Sequence, residues 1–202
     1  MKIIKHRVNA TDLLSKVPRV LGVEIDVRYH NSEIVLDHDP FHSDKCEIFS
    51  DYLNIYNCEG PLIVNLKSEG IEETCINIIK KFKIKDWFFL DMSLPFLVKI
   101  SNNLDKYGIL KENLAVRFSD KEPIELALNF KNHVGWVWVD TFKTNPLNHE
   151  TYEILKNAGF RICLVSPELH GRDVEVTKDY RKEMTHFKID AVCTKLPNIW
   201  KN

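Results

Sequence analysis

Residues 61 to 82 read Pro61-Leu-Ile-Val-Asn-Leu-Lys67, then Ser68-Glu-Gly70, then Ile71-Glu-Glu-Thr-Cys-Ile-Asn-Ile-Ile-Lys-Lys-Phe82. The first piece is short, nearly unbroken in apolar character and rich in Leu, Ile and Val. That is the composition of a strand covered on both faces, as in a parallel sheet. The last piece spaces Ile71, Cys75, Ile78, Ile79 and Phe82 so that they form one stripe of an amphipathic helix. Together they predict a βα unit, and the same alternation recurs from end to end. Strand-like runs cover residues 3–7, 22–28 with 34–38, 62–67, 87–92, 114–119, 134–142, 161–167 and 191–196. Helical patterns cover 71–82, 95–104, 123–130 and 149–158, with Gly159 at a helix C-cap position, and 173–187 reads as a charged, exposed helix.

About eight βα units fit a closed (β/α)8 barrel or an open doubly wound sheet. No GxGxxG or GxxxxGK[ST] loop follows any strand, which removes the usual reason for a nucleotide-binding open sheet. The count favours a compact α/β barrel, a single domain over residues 1–202, with a degenerate last helix after Pro197.

Composition bounds the partners. The 28 Lys and Arg residues balance 29 Asp and Glu, a formal net charge of −1. No global basic field exists to hold nucleic acid or an anionic membrane, so phosphate affinity must come from a local cluster. There is no signal-peptide-like apolar region and no run long enough to insert into a membrane. The five cysteines share no CxxC spacing and read as reduced core thiols, so the expected compartment is the cytoplasm.

In a barrel the chemistry sits where strands end and loops begin. His6 and Arg7 end the first run. Glu24 and Asp26 alternate onto one face of Gly22-Val-Glu-Ile-Asp-Val-Arg28. His38 and Asp39 close Glu33-Ile-Val-Leu-Asp-His-Asp39, and Asn65 and Lys67 share a face at the end of the third run. If these strands are parallel neighbours, two imidazoles, two carboxylates, an Arg and a Lys meet at one rim, a set suited to phosphodiester cleavage. Asp91, Asp140, Glu168 and Lys195, taken singly, read as caps or salt-bridge partners, and Arg117 on an apolar strand is a further phosphate-binding candidate. Trp136 and Trp138 alternate on one strand and read as barrel-lining, while His30, His42 and His133 read as solvated loop residues.

The order His6-Arg7, Glu24-x-Asp26, His38-Asp39 and Lys67 resembles the glycerophosphodiester phosphodiesterase family, and more widely the phosphatidylinositol-specific phospholipase C-like barrels and sphingomyelinase D. The resemblance covers residues 1 to 67 and implies a TIM-type barrel that cleaves phosphodiesters with a divalent cation, Mg²⁺ or Ca²⁺. It implies His6 and His38 as the general acid/base pair, Glu24 and Asp26 as metal ligands, and Arg7 and Lys67 as phosphate contacts. A hard cation wants carboxylate oxygens and polarises phosphoryl oxygens, cationic side chains stabilise the charge of the transition state, and histidines near neutrality can exchange roles. This chain departs from the pattern at Asn65, where the family usually has a further acidic ligand. Asn65 offers a neutral oxygen to the metal instead. Val8 stands where Gly commonly follows the His-Arg pair, and the usual Pro-Glu-Asn is absent, with Asn9 offering an oxygen nearby. The stretch from Asp39 to Pro61 leaves no room for a substrate-covering insertion.

The leading expectation is a metal-assisted phosphodiesterase for a small soluble diester. Two alternatives stand beside it. One is a catalytically silent barrel that binds a phosphorylated or anionic saccharide, which Asn65 favours. The other is a metal-independent phospholipase C-like lyase in which a cationic side chain replaces the metal.

Overall fold

The computed structural model describes residues 1–40 and 46–201. The strands are β1 (Lys2–Lys5), β2 (Gly22–His30), β3 (Glu33–Leu36), β4 (Glu47–Ile48), β5 (Leu62–Leu66), β6 (Trp87–Leu90), β7 (Ala115–Ser119), β8 (Trp136–Asp140), β9 (Arg161–Val165) and β10 (Ala191–Thr194). Parallel ladders join β1 to β2, β2 to β5, β5 to β6, β7 to β8, β8 to β9, β9 to β10 and β10 back to β1. A parallel bridge between Phe89 and Leu114 closes the remaining gap between β6 and the start of β7. The ring is therefore closed, and every parallel strand ends at the same rim.

The helices are α1 (Thr11–Leu14), α2 (Phe49–Ile55), α3 (Glu72–Lys81), α4 (Leu94–Ser101), α5 (Leu104–Tyr107), α6 (Ile124–Leu128), α7 (His149–Asn157), α8 (Val174–Met184) and α9 (Pro197–Trp200). Alternation along the strands separates two cores. Val23, Ile25 and Val27 of β2 face the helices with Val64, Ile76, Ile79 and Leu155. Ile4, Ile63, Phe88, Trp136, Trp138, Cys163 and Cys193 fill the barrel interior. Phe88 and Trp136 stack there at 4.8 Å between centroids, so the two tryptophans line the barrel as expected. Gly22 is required where β2 begins, since a Cβ would lie 2.3 Å from the Pro61 carbonyl oxygen. Gly159 has φ +88 just past α7, the left-handed conformation of a helix stop.

Two expectations about elements change. The 34–38 run is not a parallel member of the barrel: β3 pairs antiparallel with the end of β2, Val27 opposite Leu36 and His30 opposite Glu33. β2 overshoots the rim and β3 returns to it, which is how His38 reaches the site. The charged helix α8 is exposed on one face only, because Thr177, Tyr180 and Met184 are buried beneath it. The first crossover carries only the one-turn α1, whose start is held by Glu47 accepting from the Thr11 N–H at 2.8 Å and its hydroxyl at 3.0 Å. Cys46, Cys58, Cys75, Cys163 and Cys193 are free thiols. No helix among the described residues is long and apolar enough to cross a membrane. Of the three histidines read as solvated loop residues, His133 is exposed in a turn, His30 instead ends strand β2 opposite Glu33 and is half-buried, and His42 falls outside the described residues.

Candidate active site

The site begins where β1 ends. The His6 N–H donates to the Thr194 carbonyl at 3.0 Å, extending the ladder to β10. Arg7 then takes a left-handed backbone, φ +54, which turns its N–H onto Glu24 Oε2 at 2.7 Å. The Val8 N–H returns to the Glu24 carbonyl at 2.8 Å. Asn9 clasps Asp26 twice, its Nδ2 donating to Oδ2 at 2.9 Å and its Oδ1 accepting the Asp26 N–H at 2.8 Å. The Asn9 oxygen is thus committed to the backbone rather than free as a donor to a cation, and Asn9 orients Asp26.

Glu24 and Asp26 are fully buried. Glu24 Oε1 accepts from Asn65 Nδ2 at 3.0 Å. Burial and the neighbouring Asp26 carboxylate push Glu24 up to about 7, against the pull of the hydrogen bonds from Asn65 and Arg7. Asp26 and Asn65 are register partners on β2 and β5. Among the described residues Asp26 Oδ1 and Asn65 Oδ1 are both buried without a hydrogen-bond donor. Two buried oxygens without donors on register-paired residues, with Glu24 spanning the same two strands through its bond to Asn65, fit a hard oxygen-seeking divalent cation. The donor set is two carboxylates and an amide; no group of three or more His, Cys, Asp and Glu side chains is gathered for a metal among the described residues.

Cations surround the pair. Arg7 Nε is 3.5 Å from Asp26 Oδ2, and Lys67 Nζ is 3.5 Å from Asp26 Oδ1. His6 Nε2 lies 3.7 Å from Glu24 Oε2, too far for a hydrogen bond. Burial first, and then the charges of Arg7, Lys195, His38 and Lys67, lower His6 to about 3. Contrary to the expectation of a histidine near neutrality, His6 is a neutral imidazole through the physiological range.

His38 stands at the outer edge, its Nδ1 2.7 Å from Asp39 Oδ1. Its main chain is fixed by Arg28, whose Nε and Nη2 donate to the His38 carbonyl at 3.2 and 2.9 Å while Nη1 donates to the Lys67 carbonyl at 3.1 Å. One guanidinium therefore ties the returning hairpin to the end of β5. Nothing in the strand pattern marked Arg28 for this role.

Arg117 lies in a second network. It pairs with Asp91 Oδ1, with Asp140 Oδ2 at 3.0 Å and with Glu122 Oε1 at 3.9 Å. Burial alone would lower its pKa, but Asp91 and Asp140 outweigh that and raise it. Asp140 Oδ1 meets His170 Nε2 at 2.6 Å and accepts the Thr141 N–H at 2.9 Å. Lys67 also reaches Asp91 Oδ2 at 3.3 Å, which links the two networks. The fold thus gathers His6, Arg7, Glu24, Asp26, Asn65 and Lys67 directly, brings His38 beside them through Arg28, and engages Arg117 with three carboxylates. His170 was missed by sequence reasoning because it follows β9 in a short helical turn with no periodic signal. Glu168, near the end of β9, accepts from the Ser166 hydroxyl, from the Thr194 hydroxyl and from the Lys195 N–H at 2.9 Å, a cap for the β9–β10 seam.

No family model and no curated protein matches the sequence. The chain has the (β/α)8 barrel fold, and solved structures share it over nearly its whole length. A glycerophosphodiester phosphodiesterase from Agrobacterium tumefaciens is similar at TM-score 0.67 and 11% identity, covering 98% of this chain and 98% of its own. A glycerophosphoryl diester phosphodiesterase from Parabacteroides distasonis is similar at 0.63 and 12% identity, over 96% of this chain and 82% of its own. The tryptophan synthase α subunit of Campylobacter jejuni is similar at 0.61 and 12% identity, over 100% and 90%. Such low identities establish the fold, which diesterases and a non-hydrolase share.

Proposed function

We propose that this chain, a single barrel domain over residues 1–202, is a metal-assisted phosphodiester hydrolase of the glycerophosphodiester phosphodiesterase type. Its substrate is a small glycerophosphodiester-like or sugar phosphodiester. The observation that carries this reading is the hydrogen-bonded cluster at the rim: Glu24 bonded to Asn65 and to the Arg7 N–H, with His6, Asp26 and Lys67 around it. The likeness to two diesterase structures supports it at the level of fold.

His6, neutral and close to the carboxylates, takes the proton of the attacking water or substrate hydroxyl as its oxygen bonds to phosphorus. His38, its Nδ1 engaged by Asp39, must start protonated. It gives its Nε2 proton to the departing alcohol oxygen as the P–O bond to that alcohol breaks, and exchange with solvent then removes the proton from His6 and restores it to His38. Arg7 and Lys67 hold the non-bridging oxygens, where negative charge accumulates. A divalent cation on Glu24 and Asp26, with Asn65 Oδ1 as a neutral donor, would supply Lewis-acid polarisation of the phosphoryl group. Arg117 is left out of this scheme because three carboxylates already engage it.

One observation favours the metal-independent reading: Arg7 and Lys67 both stand at 3.5 Å from Asp26 and already offset its charge. A panel of diesters including bis(p-nitrophenyl) phosphate, glycerophosphocholine and sugar phosphodiesters, assayed with Mg²⁺, Ca²⁺ or excess EDTA, separates the readings. Turnover that EDTA abolishes and Mg²⁺ or Ca²⁺ restores supports the metal-assisted hydrolase. Full activity after rigorous chelation supports the lyase, and no turnover on any diester supports a barrel that only binds an anionic or phosphorylated saccharide.

A further inference from the structure

We propose that Asp91, which carries no role in the mechanism above, is a positioning residue that holds the Lys67 ammonium off Asp26. This rests on the proposed function in so far as Lys67 is a phosphate contact and Asp26 a cation ligand. Lys67 Nζ lies between two carboxylates, 3.5 Å from Asp26 Oδ1 and 3.3 Å from Asp91 Oδ2. Asp26 Oδ1 is buried and accepts no hydrogen bond. A flexible ammonium beside a buried bare carboxylate oxygen closes to a charge-assisted hydrogen bond of about 2.8 Å unless something restrains it. The restraint in this rim is Asp91, whose Oδ2 accepts a hydrogen bond from the same ammonium at 3.3 Å.

Asp91 is itself anchored. Its other oxygen pairs with Arg117. Arg117 in turn is held by Asp140 Oδ2 at 3.0 Å, and the second oxygen of Asp140 is held by His170 and the Thr141 N–H. An alternating line of charge, Asp26, Lys67, Asp91, Arg117 and Asp140, runs along the rim over neighbouring strand ends and terminates in the Asp140 contacts with His170 and the Thr141 N–H. Asp91 also has φ +58 immediately after β6, a left-handed conformation that L-residues with a Cβ rarely take. Such strain collects where a side chain must be aimed. The consequence is an Asp26 oxygen kept open for a cation and a Lys67 ammonium held toward Asp91 at the rim instead of closed onto Asp26.

The test is Asp91→Asn. The amide keeps an oxygen for Arg117, which also retains Asp140 and Glu122, so the fold is preserved. A crystal structure of the metal-free variant should show Lys67 Nζ moved to hydrogen-bond distance of Asp26 Oδ1. Calorimetry with Mg²⁺ should show affinity weakened about three- to tenfold, with recovery in Asp91→Asn/Lys67→Gln, because removing the ammonium reopens the oxygen. A role limited to bracing Arg117 predicts no movement of Lys67 and no recovery in the double variant. An ammonium left at its original place overturns the proposal, as does unchanged Mg²⁺ affinity in the single variant of a protein whose wild type binds Mg²⁺. If the wild type binds no Mg²⁺ and cleaves no diester, the functional reading fails, and the position of Lys67 in the metal-free crystal still decides the role of Asp91.

Discussion

Asn65→Asp sets an acid where the resemblance in sequence implies one, and the geometry fixes what it must do. In the protein as it stands, Asn65 Nδ2 donates to Glu24 Oε1 at 3.0 Å, with both side chains buried. The substitution removes a hydrogen bond to a charged group, a loss of about 1.5–3 kcal/mol. It also sets a second carboxylate about 3 Å from Glu24, where two like charges cannot both ionise and one proton must be retained. Glu24 is already raised to about 7 by burial and Asp26. At pH 8 with EDTA the variant should therefore be less stable than wild type by about 2–4 kcal/mol, a fall in Tm of roughly 5–15 °C. Near pH 5 a shared proton can bridge the two acids, and the deficit should shrink. Mg²⁺ reverses the sign, because the new acid is a charged oxygen donor beside the orphaned Asp26 Oδ1. Affinity should rise about tenfold, or 1.4 kcal/mol, and Mg²⁺ should raise Tm more in the variant than in wild type. Urea unfolding at pH 5 and 8, with EDTA or Mg²⁺, together with calorimetry, makes the measurement. A variant as stable as wild type in EDTA at pH 8, or one with unchanged Mg²⁺ affinity, would refute the picture of Asn65 as the donor that quiets a carboxylate-rich cation site.

His6→Ala and His38→Ala should each lower turnover about 10²- to 10⁴-fold with little change in unfolding midpoint, and a near-wild-type rate on the true substrate removes that histidine from the mechanism. Because Glu24 is raised from 4.5 to about 7 in the fold, the folded state holds the extra proton across that window. Metal-free stability should fall as pH rises from about 4.5 to 7, and Glu24→Gln should flatten this slope in urea titrations. His6 acts in the opposite sense: lowered from 6.5 to about 3, it makes stability rise between those values and reach its full contribution above 6.5, so His6→Asn should flatten the acid limb of the same profile. Arg28→Lys loses the fork that spans the His38 and Lys67 carbonyls and should cut kcat/KM about tenfold while leaving Mg²⁺ affinity intact; a parallel loss of Mg²⁺ binding would mean that Arg28 braces the whole rim instead.

The apolar runs narrowed the fold to a closed barrel or an open doubly wound sheet, and their count of about eight favoured the barrel. Eight short, nearly continuous strands separated by amphipathic stretches have few ways to bury both faces, and closing the sheet removes its edges. Alternation also determined that Glu24 and Asp26 share one face of β2, and that Asn65 and Lys67 share one face at the end of β5. Three things required the tertiary structure. The direction of β3 depends on pairing with the overshooting end of β2, and Glu33-Ile-Val-Leu36 reads equally well in either direction. The ionisation of His6 depends on burial and on Arg7, Lys195, His38 and Lys67, most of them distant in sequence. The partners of Arg117 come from the ends of β6 and β8 and from the loop after β7, so a residue that reads as a phosphate ligand on its own strand is held by Asp91, Asp140 and Glu122. Patterning along a chain encodes which face a side chain takes, because that depends on local backbone period. The charge state and partner of a side chain at the rim depend on which strand ends the closed ring sets beside one another, and that is a property of the ring.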